Sequence, residues 1–205
     1  MISRRFVLCT LAALSLAAPA ASFAAGPDDT PAAPVQSFYD TLLQAMKGGA
    51  KLGFKGRYDL LAPAVGKSFD MPLMTRLTTG LEWQNISADD QKKLIAAFSD
   101  FSIANYASQF DDYSGERFEV DPNPVKTDSG DVIVKTKLVP AKDDPVQLDY
   151  LMRQGPNGWK IIDIYLSGTI SQLAARRSEF SAVLRRDGVA GLINLLHQKT
   201  AQLAG

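Results

Sequence analysis

The chain has 205 residues, 46% of them hydrophobic and 21% charged, an ordinary composition for one globular domain. Its 22 Lys+Arg balance 22 Asp+Glu, and the formal net charge of +0 argues against a nucleic-acid binder that works by neutralising phosphates. One cysteine and one histidine leave a zinc site of those ligands without donors and exclude a disulfide framework.

Arg4 and Arg5 precede an uncharged stretch from Phe6 to Ala18, which is followed by small residues around Ser22-Phe23-Ala24. This is the order of a secretory signal peptide. The expected boundaries are a signal over 1–24, a disordered lead-in over 25–33 rich in Ala, Pro and Asp, and one domain over 34–205. The apolar run is shorter than the roughly 20 residues that span a bilayer, and no later segment supplies such a span. Cleavage after Ala24 would remove Cys9, so the mature chain would be indifferent to an oxidising compartment. Ser3-Arg4-Arg5 fits twin-arginine export, and a Sec signal tolerates the same pair.

Val35, Phe38, Leu42, Leu43 and Met46 sit at helical spacing, and Gly48-Gly49 stops them. A second helix is expected from about Gly56 to Phe69, kinked or split at Pro63. Asp70 and Pro72 read as the cap and first turn of a third, which Gly80 ends. The clearest helix opens on Ser87-Ala88-Asp89-Asp90 and carries Leu94, Ile95, Phe98, Phe101, Asn105 and Tyr106 to about Phe110.

From Glu116 the period changes to two. Strands are expected at 116–121, 131–139, 146–154 and 158–166, separated by turn residues, and such short connections make the sheet antiparallel. Helix returns at Ser171 to Arg186, is stopped by Asp187-Gly188, and resumes from Val189 to about Leu203. Helices, then a strand meander, then helices imply an α+β fold with the helices on one face of a curved antiparallel sheet of about four strands.

The chemistry-bearing residues are few. Asp149 and Asp163 lie on neighbouring strands, and two carboxylates in one cavity could divide acid and base roles. By strand alternation, however, Asp149 shares the polar face with Gln147 and Arg153 and is expected to be solvated. Both faces of the Asp163 strand carry apolar residues, which leaves its side open. His197 lacks a visible Ser, Cys or metal partner and reads as a surface residue. Arg176, Arg177, Arg185 and Arg186 form either a solvated basic face or a patch for an acidic headgroup or a membrane-protein partner. The inward strand faces would carry Val132, Val134, Leu138, Leu148, Tyr150 and Met152, opposite Leu94, Phe98, Phe101 and Tyr106 of the long helix. Periodicity does not distinguish a filled core from a cavity between them.

The run Phe69-Asp70-Met71 with Leu73-Met74, then Gly80, Trp83, Ser87, Gln91, Phe98, Tyr106, Phe110 and Tyr113-Ser114-Gly115 resembles the MlaC (toluene-tolerance) family of periplasmic lipid-binding proteins. Gly158-Trp159-Lys160-Ile161-Ile162-Asp163-Ile164, Gly168-Thr169-Ile170-Ser171, Arg177-Ser178-Glu179-Phe180 and Gly188 before Leu192 agree with it. The segments 106–118 and 176–186 are more similar to HpnM, the family's hopanoid-associated branch. Leu166-Ser167-Gly168-Thr169-Ile170-Ser171 departs from the wider family's Gly-Val-Ser and also favours that branch.

The resemblance implies an NTF2-like fold enclosing an apolar cavity for a lipid, hopanoid or phospholipid, with its headgroup near the mouth. The candidate lining is Leu73, Met74, Leu77, Trp83, Leu94, Phe98, Phe101, Tyr106, Val132, Val134, Leu138, Leu148, Tyr150, Met152 and Ile164, with Arg176 and Arg177 for headgroup or partner contact. It implies a non-enzymatic periplasmic shuttle without cofactor, in transient membrane contact and served by an inner-membrane transporter of ABC or RND type. Two alternatives stay open. NTF2-like folds also host isomerases and dehydratases, for which Asp163 with Tyr165 or Tyr150 would be the candidates, and a filled core would suit an adaptor that carries nothing.

Overall fold

The computed structural model of the protein describes residues 30–205. The expected signal over 1–24, and the lead-in up to residue 29, lie outside the described residues. Residues 30–32 form a turn, and helix α1 (Ala33–Ser68) opens with a proline in its first turn, where no intrahelical N–H is missed.

α1 changes direction at Gly49 (φ 39°) and Gly53 (φ 62°), positive values that strain any side-chain-bearing residue. Arg57, 7% exposed, braces the joint. Its Nε donates to the Ala107 carbonyl at 2.8 Å and its guanidinium to the Gly49 carbonyl at 2.9 Å. The expected break at Pro63 does not occur, and the backbone stays helical there. Pro63 and Asp59, whose carbonyl loses its helical donor, are both exposed, so water can take the place of the missing N–H.

Helix α2 (Met71–Thr79) is capped by Asp70, whose carboxylate accepts the Leu73 N–H at 2.9 Å, and it ends at Gly80 (φ 63°). A 3-10 turn (Gly80–Asn85) leads to α3 (Ala88–Gln109), where Ser87 Oγ accepts the Asp90 N–H. The strands are β1 (Arg117–Val120), β2 (Val125–Lys126), β3 (Val132–Val139), β4 (Val146–Gly155), β5 (Gly158–Leu166) and β6 (Ile170–Ser171). Helix α4 (Gln172–Ala204) closes the chain and bends at Gly188 (φ 68°), where the sequence places a stop.

The sheet is antiparallel in the order β1-β3-β4-β5-β6, with β2 also paired to β3. It has six strands rather than about four. β1 and β2 run along one side of β3, separated by Asp121-Pro122-Asn123-Pro124, whose prolines have no N–H to give a ladder. On β5, Leu151 opposes Asp163 while Met152 opposes Ile161, so Ile162 is an extra residue that forms a bulge. The bulge explains why Ile161, Ile162 and Asp163 are buried in succession.

The inner face carries Val132, Val134 and Thr136 of β3 and Leu148, Tyr150 and Met152 of β4, directed at the helices. α1, α2 and α4 meet β5, whereas α3 packs chiefly on α1 and α4. Asp149 lies on the opposite face, as expected, but is only 6% exposed. The Ser167 N–H bonds the Gln147 carbonyl at 2.9 Å, which folds Gly168 over Gln147 and Asp149, so a returning turn buries a position that alternation would leave in water.

Candidate functional site

Because α3 rests on other helices rather than on the sheet, a space remains beneath it. It is a cavity of about 290 Å³. α3 lines it with Phe98, Phe101, Ser102, Asn105, Tyr106 and Gln109, which alternate steps of three and one along a single face of the helix. Tyr39 and Leu42 of α1, Phe69, Met74 of α2, Phe110 and Phe118 add apolar wall. The sheet contributes Leu148, Tyr150, Asp163, Ile164 and Leu166, and the first turns of α4 contribute Gln172, Leu173 and Arg176. Exposed Gln109 and Gln172, with part-exposed Ser102, Asn105 and Arg176, form its polar rim.

Of the residues singled out in the sequence, Met74, Phe98, Phe101, Tyr106, Leu148, Tyr150, Ile164 and Arg176 meet at this wall. Leu94, Val132, Val134 and Met152 do not; they are buried in packed core, where neighbours fill the space around them. Leu138 lies on the inner face beyond the wall, and Leu73, Leu77 and Trp83 are part-buried on α2 and the 3-10 turn. Arg177 is exposed and turns away from the cavity onto Gly80, where a Cβ would stand 2.9 Å from its guanidinium. Sequence reasoning missed Tyr39, Leu42, Phe69, Phe110, Phe118, Leu166 and Leu173. It also missed the polar line Ser102, Asn105 and Gln109, which was visible as small polar residues beside the apolar stripe of α3.

Arg176 lies 4.9 Å from the centre of the Phe101 ring and donates to Glu179 at 3.2 Å. Lys199 reaches the other Glu179 oxygen at 2.5 Å. Burial pushes the Glu179 carboxyl up, but hydrogen bonds and charge from Lys199 and then Arg176 outweigh it and hold the group below its usual range. Two cations around one carboxylate leave a local excess of positive charge beside the rim. Deeper in, burial pushes the Tyr39 hydroxyl up to about 12 and also raises those of Tyr106 and Tyr150, so all three are neutral at physiological pH.

Asp163 stands at the wall, and its oxygens are engaged. Oδ1 accepts the N–H groups of Ile164 at 2.7 Å and Leu173 at 3.0 Å, and Oδ2 accepts the Ser171 hydroxyl at 2.6 Å. The carboxylate thus ties the start of α4 to β5. His197 is exposed on α4. Among the described residues no group of three or more His, Cys, Asp or Glu could hold a metal ion, and no helix is long and apolar enough to cross a membrane.

An apolar chamber under a helical layer, walled by an antiparallel sheet and rimmed by amides and a cation, defines an α+β protein built around a cavity for an apolar ligand. The family model of the MlaC protein matches residues 36–198, and the chain belongs to the MlaC family. Among solved structures it is similar to the phospholipid-binding protein from Ralstonia solanacearum in complex with a phospholipid. The two are 27% identical with a TM-score of 0.72, and the match covers 84% of this chain and 98% of that one. Comparison with curated proteins gives no match.

Proposed function

We propose that this protein is a periplasmic lipid carrier that shelters the apolar part of a lipid and shuttles it between inner- and outer-membrane machinery. The carrying observation is the apolar cavity with its cationic rim, in a chain of the MlaC family whose solved relative holds a phospholipid. At roughly 0.8 kcal/mol per buried CH₂, a ~16-carbon chain in water costs on the order of 12 kcal/mol, so crossing an aqueous gap requires such a shelter. No bond need change in the cargo. The engagement of Asp163 with Ile164, Leu173 and Ser171 argues against the alternative in which it serves as a catalytic base.

The cavity's volume of about 290 Å³ is at the lower edge of the roughly 300–1,000 Å³ of ligand sites, so a full lipid requires α3 and the start of α4 to part from the sheet. That opening would couple loading to an inner-membrane partner of ABC or RND type, with Arg176 placed to meet an anionic headgroup. The similarity of segments 106–118 and 176–186 to the HpnM branch favours a hopanoid cargo, and the Ralstonia relative favours a phospholipid.

Mass spectrometry of organic extracts decides between them. The protein is purified from a host that makes only phospholipids and from one that also makes hopanoids. Stoichiometric lipid in either sample establishes carriage, and replacement of phospholipid by hopanoid in the second names the cargo. Folded, monodisperse protein that is empty from both hosts rules the carrier out.

A further inference from the structure

Helix α4 is continuous in sequence but not straight. In an unbroken helix Glu179 and Lys199 would stand about 30 Å apart along the axis, yet Glu179 Oε1 and Lys199 Nζ are 2.5 Å apart. The chain therefore doubles back at Gly188 (φ 68°, ψ −172°), and the arm that starts at the cavity rim lies beside the arm that ends the helix. The reversal sets Arg176 of the first arm 4.9 Å, and Lys199 of the second 6.0 Å, from the centre of the same Phe101 ring. Phe101 and Arg176 both line the cavity.

Glu179 stands between these cations and gives one oxygen to each, at 3.2 Å to Arg176 and 2.5 Å to Lys199. A single negative charge meets two positive ones, so the cluster keeps a surplus of positive charge. Among the described residues the other guanidinium hydrogens of Arg176 have no protein acceptor, and its bond to Glu179 is long for a charge-assisted pair. Side-chain exposures of 34%, 31% and 32% for Arg176, Glu179 and Lys199 leave the cluster open to an arriving group, while excluding enough water for its charges to act strongly.

We propose that Arg176 and Lys199 together form a phosphate site at the rim, and that Glu179 is the resident anion which an entering phosphodiester displaces. The inference rests on the carrier reading with a phospholipid as cargo, and it adds to that reading a second cation and a competing carboxylate. A phosphodiester, like a carboxylate, presents two equivalent oxygens that share one negative charge, so it fits the same pair of cations. Displaced Glu179 is already part-exposed and turns to water, and the Arg176 hydrogens it left unused gain an acceptor.

The test uses the purified protein carrying a displaceable fluorescent apolar probe. It is challenged with dioleoylphosphatidylglycerol and with dioleoylglycerol, which has the same chains and no phosphate, each delivered from cyclodextrin. The wild type should bind the phospholipid about tenfold more tightly, by a margin that shrinks as salt is raised. Lys199→Gln should bring the two lipids within about threefold of each other. Glu179→Gln, which removes the competitor and keeps its shape, should tighten the phospholipid about fivefold and leave the diacylglycerol within about twofold of its wild-type value. A carboxylate that only stapled the two arms together would, once lost, weaken both lipids alike. Equal affinity of the wild type for the two lipids, a margin that survives in Lys199→Gln, or a Glu179→Gln variant that weakens the phospholipid overturns the inference while leaving the carrier intact. Glycerophosphoglycerol, the same headgroup without chains, should compete only at about millimolar concentration, and competition at about micromolar concentration would give the site to a soluble phosphate ester instead. Failure of both lipids to displace the probe overturns the phospholipid reading itself.

Discussion

The inner face of the sheet is one surface with two fates. Towards one end Val134, Met152 and Ile161 are each 0% exposed, sealed beneath the helices. Towards the other, Leu148 of β4 and Ile164 and Leu166 of β5 have the same aliphatic chemistry and face the same side, yet keep accessible surface and line a cavity. The difference lies above the sheet. Phe69, which follows α1, bridges to Ile161, whereas over the second half α3 is held by α1 and α4 and stands clear of the strands. A row of aliphatic residues does not make a binding site; the absence of a partner layer does.

The largest expected contrast is between Met152→Ala and Leu148→Ala. The first opens a hole in close-packed core and should cost about 3 kcal/mol in denaturant unfolding. The second only widens an existing space and should cost about 1 kcal/mol, because part of the Leu148 side chain has no neighbour to lose. Equal losses would show that the hollow half is packed in solution.

A smaller effect concerns the outer face behind the filled half. Arg153 donates to both oxygens of Asp131 at 2.7 and 2.6 Å, and these hydrogen bonds hold the Asp131 carboxyl below its usual range. A carboxyl lowered on folding contributes stability that is complete above its unfolded value of about 4 and is lost as the pH falls through its own lower value. Asp131→Asn should therefore cost about 1–2 kcal/mol at pH 7, with the gap to wild type closing below about pH 4, and should leave lipid uptake unchanged. A gap that stays constant down to acid pH would remove the ion pair as its cause.

The smallest stability effect should accompany the largest effect on cargo. Leu166→Trp places a ring in the open half and should move stability by no more than about 1 kcal/mol, since it fills space instead of displacing core. Co-purified lipid should fall to a small fraction of the wild-type amount. Undiminished lipid in a folded variant would put the binding space elsewhere.

Much of the scaffold was legible because its signals are local. Asp70, Ser87 and Gly80 do at helix ends what their residue types dictate, and the four expected strands begin and end within about a residue of their expected bounds. The failures are non-local. Pro63 is tolerated where Asp59, whose carbonyl it deprives, is an exposed residue, and Asp149 is buried by a turn that begins at Ser167. The Ile162 bulge shifts the face on which every later residue of β5 falls. β2 and β6 have two residues each, too short to show a period.

For the site the division is sharper. Sequence by itself determined the α+β order, the apolar faces, the family resemblance and the aromatic stripe of α3, because these follow from spacing along one chain. Only the tertiary structure decided that Leu148 lines a cavity while Met152 fills a core, that Arg176 faces the rim while Arg177 turns onto Gly80, and that Tyr39, Tyr106 and Tyr150 gather from three elements. A cavity is a property of the distance between layers, and that distance is set where helices rest on one another rather than by any periodicity within them.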